Sequence, residues 1–326
     1  MIPLLQASQF PGRHSVLEPA GAQAALIKDG LWDPMFVTAS VTFALVVAAL
    51  LWALLRRRVG GETLEDPARQ RRLGLTVSLA TAVTTIVLFV FLVVDSTVGR
   101  ATTATPGHSA LQIRVTGHQW WWEVQYRDSL AQHWVTTANE IHIPVGRPVV
   151  VELRSTDVIH SFWPPNLSAK RDLIPGHENS LWLEADSSGE YRGQCAEYCG
   201  HQHAKMAFLV VAEPSDSFAG WLAGQRDTAA TPADSLTRRG QEVFLGSACP
   251  MCHAVAGTPA GSRVGPDLTH LGSRRTLAAG TLPNTRGNLA GWIVNPQAIK
   301  PGAKMPPNAL SPDDLQALLA YLETLR

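Results

Sequence analysis

Two short stretches carry residues whose types and spacing could do chemistry. The first, GQCAEYCGHQHAKM at 193–206, gathers Cys195, Glu197, Cys199, His201, His203 and Met206. The second, CPMCH at 249–253, separates Cys249 from Cys252 by two residues and sets His253 directly behind them. These are the only four cysteines in 326 residues. Two local disulfides are one reading, but bridges that close in sequence remove little chain entropy and make poor staples. C-x-x-C-H is also the pattern of covalent c-type haem attachment. Two thiols on one tight turn reach the two vinyl groups of a haem, and His253 rises to the iron as proximal ligand. A thioredoxin-like redox pair would need a βαβ setting, whereas helical patterns flank this motif.

A histidine-ligated haem needs a distal ligand. Of the five methionines, Met1 starts the chain, Met35 opens an apolar run, Met251 lies inside the attachment loop and Met206 belongs to the first stretch. Met305, in the proline-rich GAKMPP 52 residues past His253, is what remains, with His270 as its competitor. The first stretch offers two soft thiolates, imidazole and a thioether. Sulfur with imidazole suits copper or zinc, and an added thioether favours copper. Zinc would be satisfied by Cys2His2, using both His201 and His203, and would leave Met206 without a task. On these fourteen residues copper, zinc and a disulfide all stay open. Upstream, STDVIHSFWPP puts His160 at the end of a predicted strand, ready to complete a site closed by the later loop.

The elements that must position these groups are legible in outline. Residues 35–55 run for 21 positions and residues 73–94 for 22 without a charge. At 1.5 Å per residue both reach across the hydrocarbon core of a membrane. Arg56, Arg57, Arg58, Arg69, Arg71 and Arg72 lie between them and assign that loop to the cytoplasm, so both termini fall outside. The N-terminus lacks a basic n-region and does not read as a signal peptide. A polar connector follows Asp95. From 111 to 213, alternating runs such as LQIRVTG, WWEVQY, RPVVVELRS and AFLVVAE predict an antiparallel sandwich or barrel. Ser215–Arg226 predicts a short helix capped by Ser215, and DTAATPAD a linker. Helices are expected at the start of the last unit and from Pro312 onward, with Ser311 as N-cap. Domain limits are thus 1–34 external, 35–95 membrane hairpin, 108–213 sandwich, 214–235 helix and linker, and 236–326 a small all-α unit. Lys+Arg and Asp+Glu balance at 27 each, so nothing calls for nucleic acid.

Two resemblances follow. Residues 236–326 resemble a small class I cytochrome c, through CPMCH, VGPDLTHLGSR, KMPP and a terminal helix bearing Tyr321. That resemblance implies that Pro266 lies against the proximal His253. Residues 111–212 resemble the cupredoxin-like CuA domain of cytochrome c oxidase subunit II, through GHQWWW at 117–122, DVIHSFW at 157–163, KRDLIPG at 170–176 and the 193–206 stretch; two preceding membrane helices fit too. It implies a binuclear copper centre bridged by Cys195 and Cys199, with His160 and His203 binding one copper each. Met206 and the Glu197 carbonyl would be weak axial ligands, and the Glu197 side chain would join a magnesium site with subunit I. Asp172 would lie near that site, and Trp120 would receive electrons from a cytochrome. His201 falls outside the family spacing; His118 and His142, and Trp121 and Trp122 beneath the sheet, read as structural.

The resemblance implies subunit II of a bacterial haem–copper cytochrome c oxidase with a fused cytochrome c domain. Electrons would pass from a donor, cytochrome c or another, through covalent haem c to the copper pair and on to subunit I, where oxygen is reduced to water with proton pumping. Partners would be subunits I and III in the bacterial inner membrane, both cofactor domains facing the periplasm. The same features would serve another terminal reductase, such as a nitric oxide reductase, or a stand-alone tethered electron carrier.

Overall fold

A computed structural model describes residues 12–56, 67–103, 106–107, 110–127 and 134–326. The chain forms two compact units, residues 25–104 and residues 1–24 with 105–326. In the smaller unit, α1 (Ala22–Ile27) leads through a π-helical turn at Lys28–Trp32 into α2 (Asp33–Leu55), and α3 covers Pro67–Thr103. Both helical stretches are long and apolar enough to cross a membrane. Phe43, Leu54 and Leu75 are largely exposed, an arrangement suited to lipid rather than water.

The second helix overruns its predicted 73–94 limits at both ends. Arg69, Arg71 and Arg72 occupy its first turns rather than a loop, and the expected connector after Asp95 is helical to Thr103. Polar residues alone do not end a helix. Thr97 and Thr102 return their hydroxyls to the carbonyls of Val94 and Gly99, and no proline occurs between Pro67 and Pro106. Arg57, Arg58 and residues 1–11 of the N-terminal segment lie outside the described residues.

In the larger unit a sandwich is built from β1 (Leu111–His118), β2 (Trp121–Arg127), β3 (Trp134–Ala138), β4 (Glu140–Pro144), β5 (Val149–Ser155), β6 (His160–Trp163), β7 (Arg171–Leu173), β8 (Asn179–Leu183), β9 (Gly189–Cys195) and β10 (Ala207–Glu213). The two five-stranded sheets run β3-β2-β1-β5-β8 and β4-β10-β9-β6-β7. Each contains one parallel pair, β1 with β5 and β4 with β10, so the sandwich is mixed rather than antiparallel. Alternation decides which face is buried but is blind to strand direction. His160 opens β6 instead of ending a strand.

The core between the sheets is aromatic. Phe162 stacks on Phe208 at 4.3 Å between ring centres, and Trp122 meets Phe208 edge-on at 5.3 Å. Gly193 is required beneath them, since a Cβ there would stand 2.1 Å from the Phe208 ring. That missing side chain, with few apolar residues in GEYRGQC, hid β9 from the sequence pattern. Arg13 pairs with β9 through main-chain bonds to Glu190 and Arg192, so the segment before α1 belongs to the sandwich. α4 (Ser215–Gly224) lays Trp221 flat on His142 at 4.0 Å, which accounts for that histidine structurally. Ser215 is the first helical residue and makes no capping bond.

The last part holds α5 (Ser235–Gly246), α6 (Arg286–Val294), α7 (Pro296–Ile299) and α8 (Pro312–Thr324). Asp234 caps α5 by accepting the Thr237 N–H, and Ser311 caps α8 by accepting that of Asp314. α5 and α8 cross at Gly240, where a Cβ would come within 2.0 Å of the Ala317 carbonyl. Phe244, Leu318, Tyr321 and Leu322 form the core at this crossing. A two-stranded ladder, β11 (Thr276–Leu277) with β12 (Leu282–Pro283), interrupts the otherwise helical unit.

Candidate copper and haem sites

Cys195 closes β9, and the loop that follows folds back so that its donors face the start of β6. The two sulfurs lie 3.8 Å apart, too far for a disulfide, whose S–S bond is about 2.05 Å. Cys195 Sγ stands 3.8 Å from His160 Nδ1 and 3.2 Å from the Glu197 carbonyl. Cys199 Sγ stands 3.6 Å from His203 Nδ1 and 3.8 Å from Met206 Sδ. Cys195, Cys199, His160 and Met206 are all buried. Five side chains and one carbonyl, drawn from three segments, therefore converge with their lone pairs inward. His201 is exposed on the same loop and is no member of the group.

Asp157 orients the cluster, and sequence reasoning missed it. Its Oδ1 accepts from His160 Nε2 at 2.9 Å, which leaves Nδ1 free to face the sulfurs. Burial disfavours the Asp157 carboxylate, but bonds from His160, Gln119 N–H and Val158 N–H hold it well below the usual range. The D-x-x-H spacing in DVIH was the available signal. The cysteines themselves are unequal. Cys195 loses its proton readily, chiefly because the Cys199 thiol hydrogen-bonds to it, and Cys199 is pushed up by that same contact and by burial. A cation between the sulfurs removes the reluctance of the second thiol to ionise. The donor set thus fits a soft metal centre and fits zinc less well, because Met206 faces the sulfurs alongside the imidazoles.

The remaining predicted residues of the sandwich divide. Asp172 sits in β7 opposite Ser161, one rung from His160. His118 stacks on Trp121 at 4.4 Å, and burial lowers its pKa to about 4, so it remains neutral and structural.

Cys249, Cys252, His253 and Met305 all line one cavity of about 300 Å³. His253 Nδ1 donates to the Pro266 carbonyl at 2.7 Å, leaving Nε2 as its free nitrogen. Pro266 therefore fixes the His253 ring through its carbonyl. The Met305 carbonyl accepts from Gln297 Nε2 at 3.0 Å, which fixes the methionine loop. His270 is buried and is not among the residues that line the cavity. The walls are otherwise largely apolar, with Phe244, Leu271, Trp292 and Leu318 among them. Two buried polar atoms of the lining residues, Arg274 Nε and Thr276 Oγ1, lack a partner among the described residues, while Arg274 Nη2 donates to the Asp267 carbonyl. Two thiols, an imidazole, a thioether and apolar walls fit a haem.

The two sites share a wall. Gln119, Trp120, Trp121 and Asn139 of the sandwich also line the cavity. Trp120 Nε1 and Gln119 Nε2 both donate to the Cys199 carbonyl, at 2.9 and 2.8 Å. Trp120 thus borders the cavity and bonds a residue of the sulfur cluster. Trp121, expected as packing beneath the sheet, is part of that wall, whereas Trp122 is fully buried core.

Residues 129–213 match the family model described as cytochrome C oxidase subunit II, periplasmic domain, and residues 237–326 match that for cytochrome c. A protein of Alkalihalophilus pseudofirmus named cytochrome c oxidase subunit 2 is 37% identical over 322 residues, covering 96% of this chain and 91% of that one. The protein of the same name from Bacillus subtilis is 29% identical across 100% of this chain and 96% of its own. That from Bacillus sp. strain PS3 is 34% identical over 66% of this chain and 62% of its own.

Proposed function

The chain belongs to the family of cytochrome c oxidase subunit 2, carrying a cytochrome c domain at its C-terminal end, and from that premise we propose that it relays electrons between two sites on one polypeptide. Cys195 and Cys199 would hold the copper centre together with His160, His203, Met206 and the Glu197 carbonyl. Cys249 and Cys252 bind haem covalently, and His253 Nε2 and Met305 Sδ take the iron. When bound, haem and the copper pair each supply one-electron redox chemistry. The protein's own part is to hold ligands still. Asp157 fixes the His160 ring and Pro266 fixes His253, which keeps reorganisation small.

The observation that carries this reading is Trp120, set in the haem cavity wall and hydrogen-bonded to the carbonyl of Cys199. It gives a hydrogen-bonded route from one site to the other through an aromatic ring, beside a second contact from Gln119. The apolar helices anchor the chain in the bacterial inner membrane with the cofactor domains in the periplasm. The Glu197 side chain contributes to a magnesium site shared with subunit I, which reduces oxygen and pumps protons, and subunit III completes the assembly. A soluble or membrane-bound cytochrome supplies the electrons.

Reduction of the copper after electron injection at the haem, followed optically in the purified complex, tests the relay. Trp120→Ala is expected to slow it while leaving haem absorption and the copper EPR signal intact. An unchanged rate would remove Trp120 from the route, and zinc in place of copper on metal analysis would end the reading.

A further inference from the structure

Residues 225–234 join the cytochrome part to the sandwich, and a linker of this kind could carry either a swinging donor or a fixed one. Two buried charged side chains, one from each side of the junction, bear on the choice. Glu140 of β4, 4% exposed, accepts the backbone N–H groups of Arg275 and Thr276 at 2.6 and 3.1 Å. Lys300, which follows α7 and is 3% exposed, donates Nζ–H to the Trp120 carbonyl at 2.8 Å and to that of Ala278 at 3.1 Å. Glu140 is thus satisfied by main chain across the junction, and Lys300 by Trp120 across it and by Ala278 on its own side. A buried charge is tolerated only when hydrogen-bonded, so a docking shifted by a few ångströms would leave Glu140 unpaired and take Trp120 from Lys300. Such groups select one geometry.

A second observation is independent of these charges. Ala278 and Ala279 both take left-handed backbone angles, φ 53° and 55°, which side chains other than glycine seldom adopt. Across the junction, the Ala207 N–H of β10 donates to the Ala279 carbonyl at 3.0 Å. The strained turn is therefore shaped to the docked arrangement. Around it lie partly exposed ion pairs, Arg275 with Glu190 at 3.1 Å and Lys304 with Asp157 at 3.7 Å.

We propose that the cytochrome part works as a body fixed on the sandwich, not as a swinging tether, and that Lys300 is the positioning residue that locks it against Trp120. This rests on the electron-relay reading above. Lys300 touches no reacting atom; it sets where the haem cavity stands relative to the tryptophan that borders it.

The test uses the complete, cofactor-loaded oxidase complex. Electron transfer from haem c to copper is timed after photochemical injection, across a range of glycerol viscosities and salt concentrations. A fixed body predicts a wild-type rate indifferent to both, because buried contacts are little screened and no diffusion is needed. Lys300→Met and, separately, Glu140→Gln are expected to slow transfer severalfold and make it viscosity-dependent, with haem absorption and copper EPR unchanged. Hydrogen exchange at amides 119–122 and 274–279, slow in the wild type, should accelerate in both variants. A wild-type rate that falls with viscosity would overturn the proposal. So would variants that keep the wild-type rate and the wild-type exchange. A wild-type complex without haem c absorption or a copper signal would instead sink the relay reading, and the exchange measurement would still decide the docking.

Discussion

The copper cluster and the haem cavity hold their cofactors in opposite ways. At the cluster, donors already stand 3.2 to 3.8 Å apart, fixed by β6, β9 and a loop strapped to Trp120 and Gln119. Beneath them lies a core of Trp122, Phe162 and Phe208 that owes nothing to a metal. At the cavity, ligands sit on turns around about 300 Å³ of space, and the apolar residues of α5, α6 and α8 form its shell. One site is a finished scaffold that a metal enters last. The other is a fold that its cofactor completes.

The sharpest way to break that contrast is to withhold each cofactor. An empty cavity of about 300 Å³, at roughly 24 cal/mol per Å³, costs on the order of 7 kcal/mol before collapse or water relieves it. That rivals the entire stability of a small domain. Changing Cys249 and Cys252 together to alanine is therefore expected to abolish amide protection in α5 and α8 while the sandwich strands keep theirs. Copper chelation should do far less: hydrogen exchange in β1, β2, β9 and β10 should remain slow. If chelation unfolds the sandwich, or if the haem-free cytochrome part stays protected, the contrast is wrong.

Next in size are the two glycines on which close packing depends. Gly240→Ala drives a methyl into the Ala317 carbonyl where α5 crosses α8, and backbone cannot give way cheaply. Calorimetry should record a loss of about 1–3 kcal/mol, confined to the cytochrome part. Gly193→Ala meets the Phe208 ring instead. It should lower the sandwich transition and broaden the copper EPR signal, because Cys195 lies two residues on.

The smallest expected effect is one of pH. The Asp234 carboxylate accepts the Thr237 N–H at the α5 N-terminus, and that bond holds its pKa below the ordinary 3.8. A depressed carboxylate stabilises the fold above its ordinary pKa and ceases to as pH falls through the folded value. Melting of the cytochrome part should therefore soften below about pH 4. Asp234→Asn should make that slope slightly shallower and leave the sandwich transition where it is.

The sequence disclosed the ligands better than it disclosed what positions them. Cys195, Cys199, His203 and Met206 stood out as crowded soft donors, though those residues alone left copper, zinc and a disulfide open, and CPMCH stood out because its spacing has a chemical cause. Ser311 and Pro312 announced the start of α8 by local chemistry alone. Asp157, Gln119, Glu140 and Lys300 act through contacts between residues far apart in sequence, which no local pattern encodes. Parallel pairing of β1 with β5 escaped for the same reason, since alternation gives faces and not directions. The overrun of α3 had another cause: threonines that look like a connector satisfy their hydroxyls on the helix itself.

The measurement that bears most directly on two independent sites in one relay is the paired optical and EPR spectrum of the complex carrying Cys199→Ser. The copper signal should vanish, because the bridging sulfur opposite Cys195 is gone, while the c-type haem spectrum persists at full intensity. Loss of both signals, or survival of the copper signal, would contradict the account.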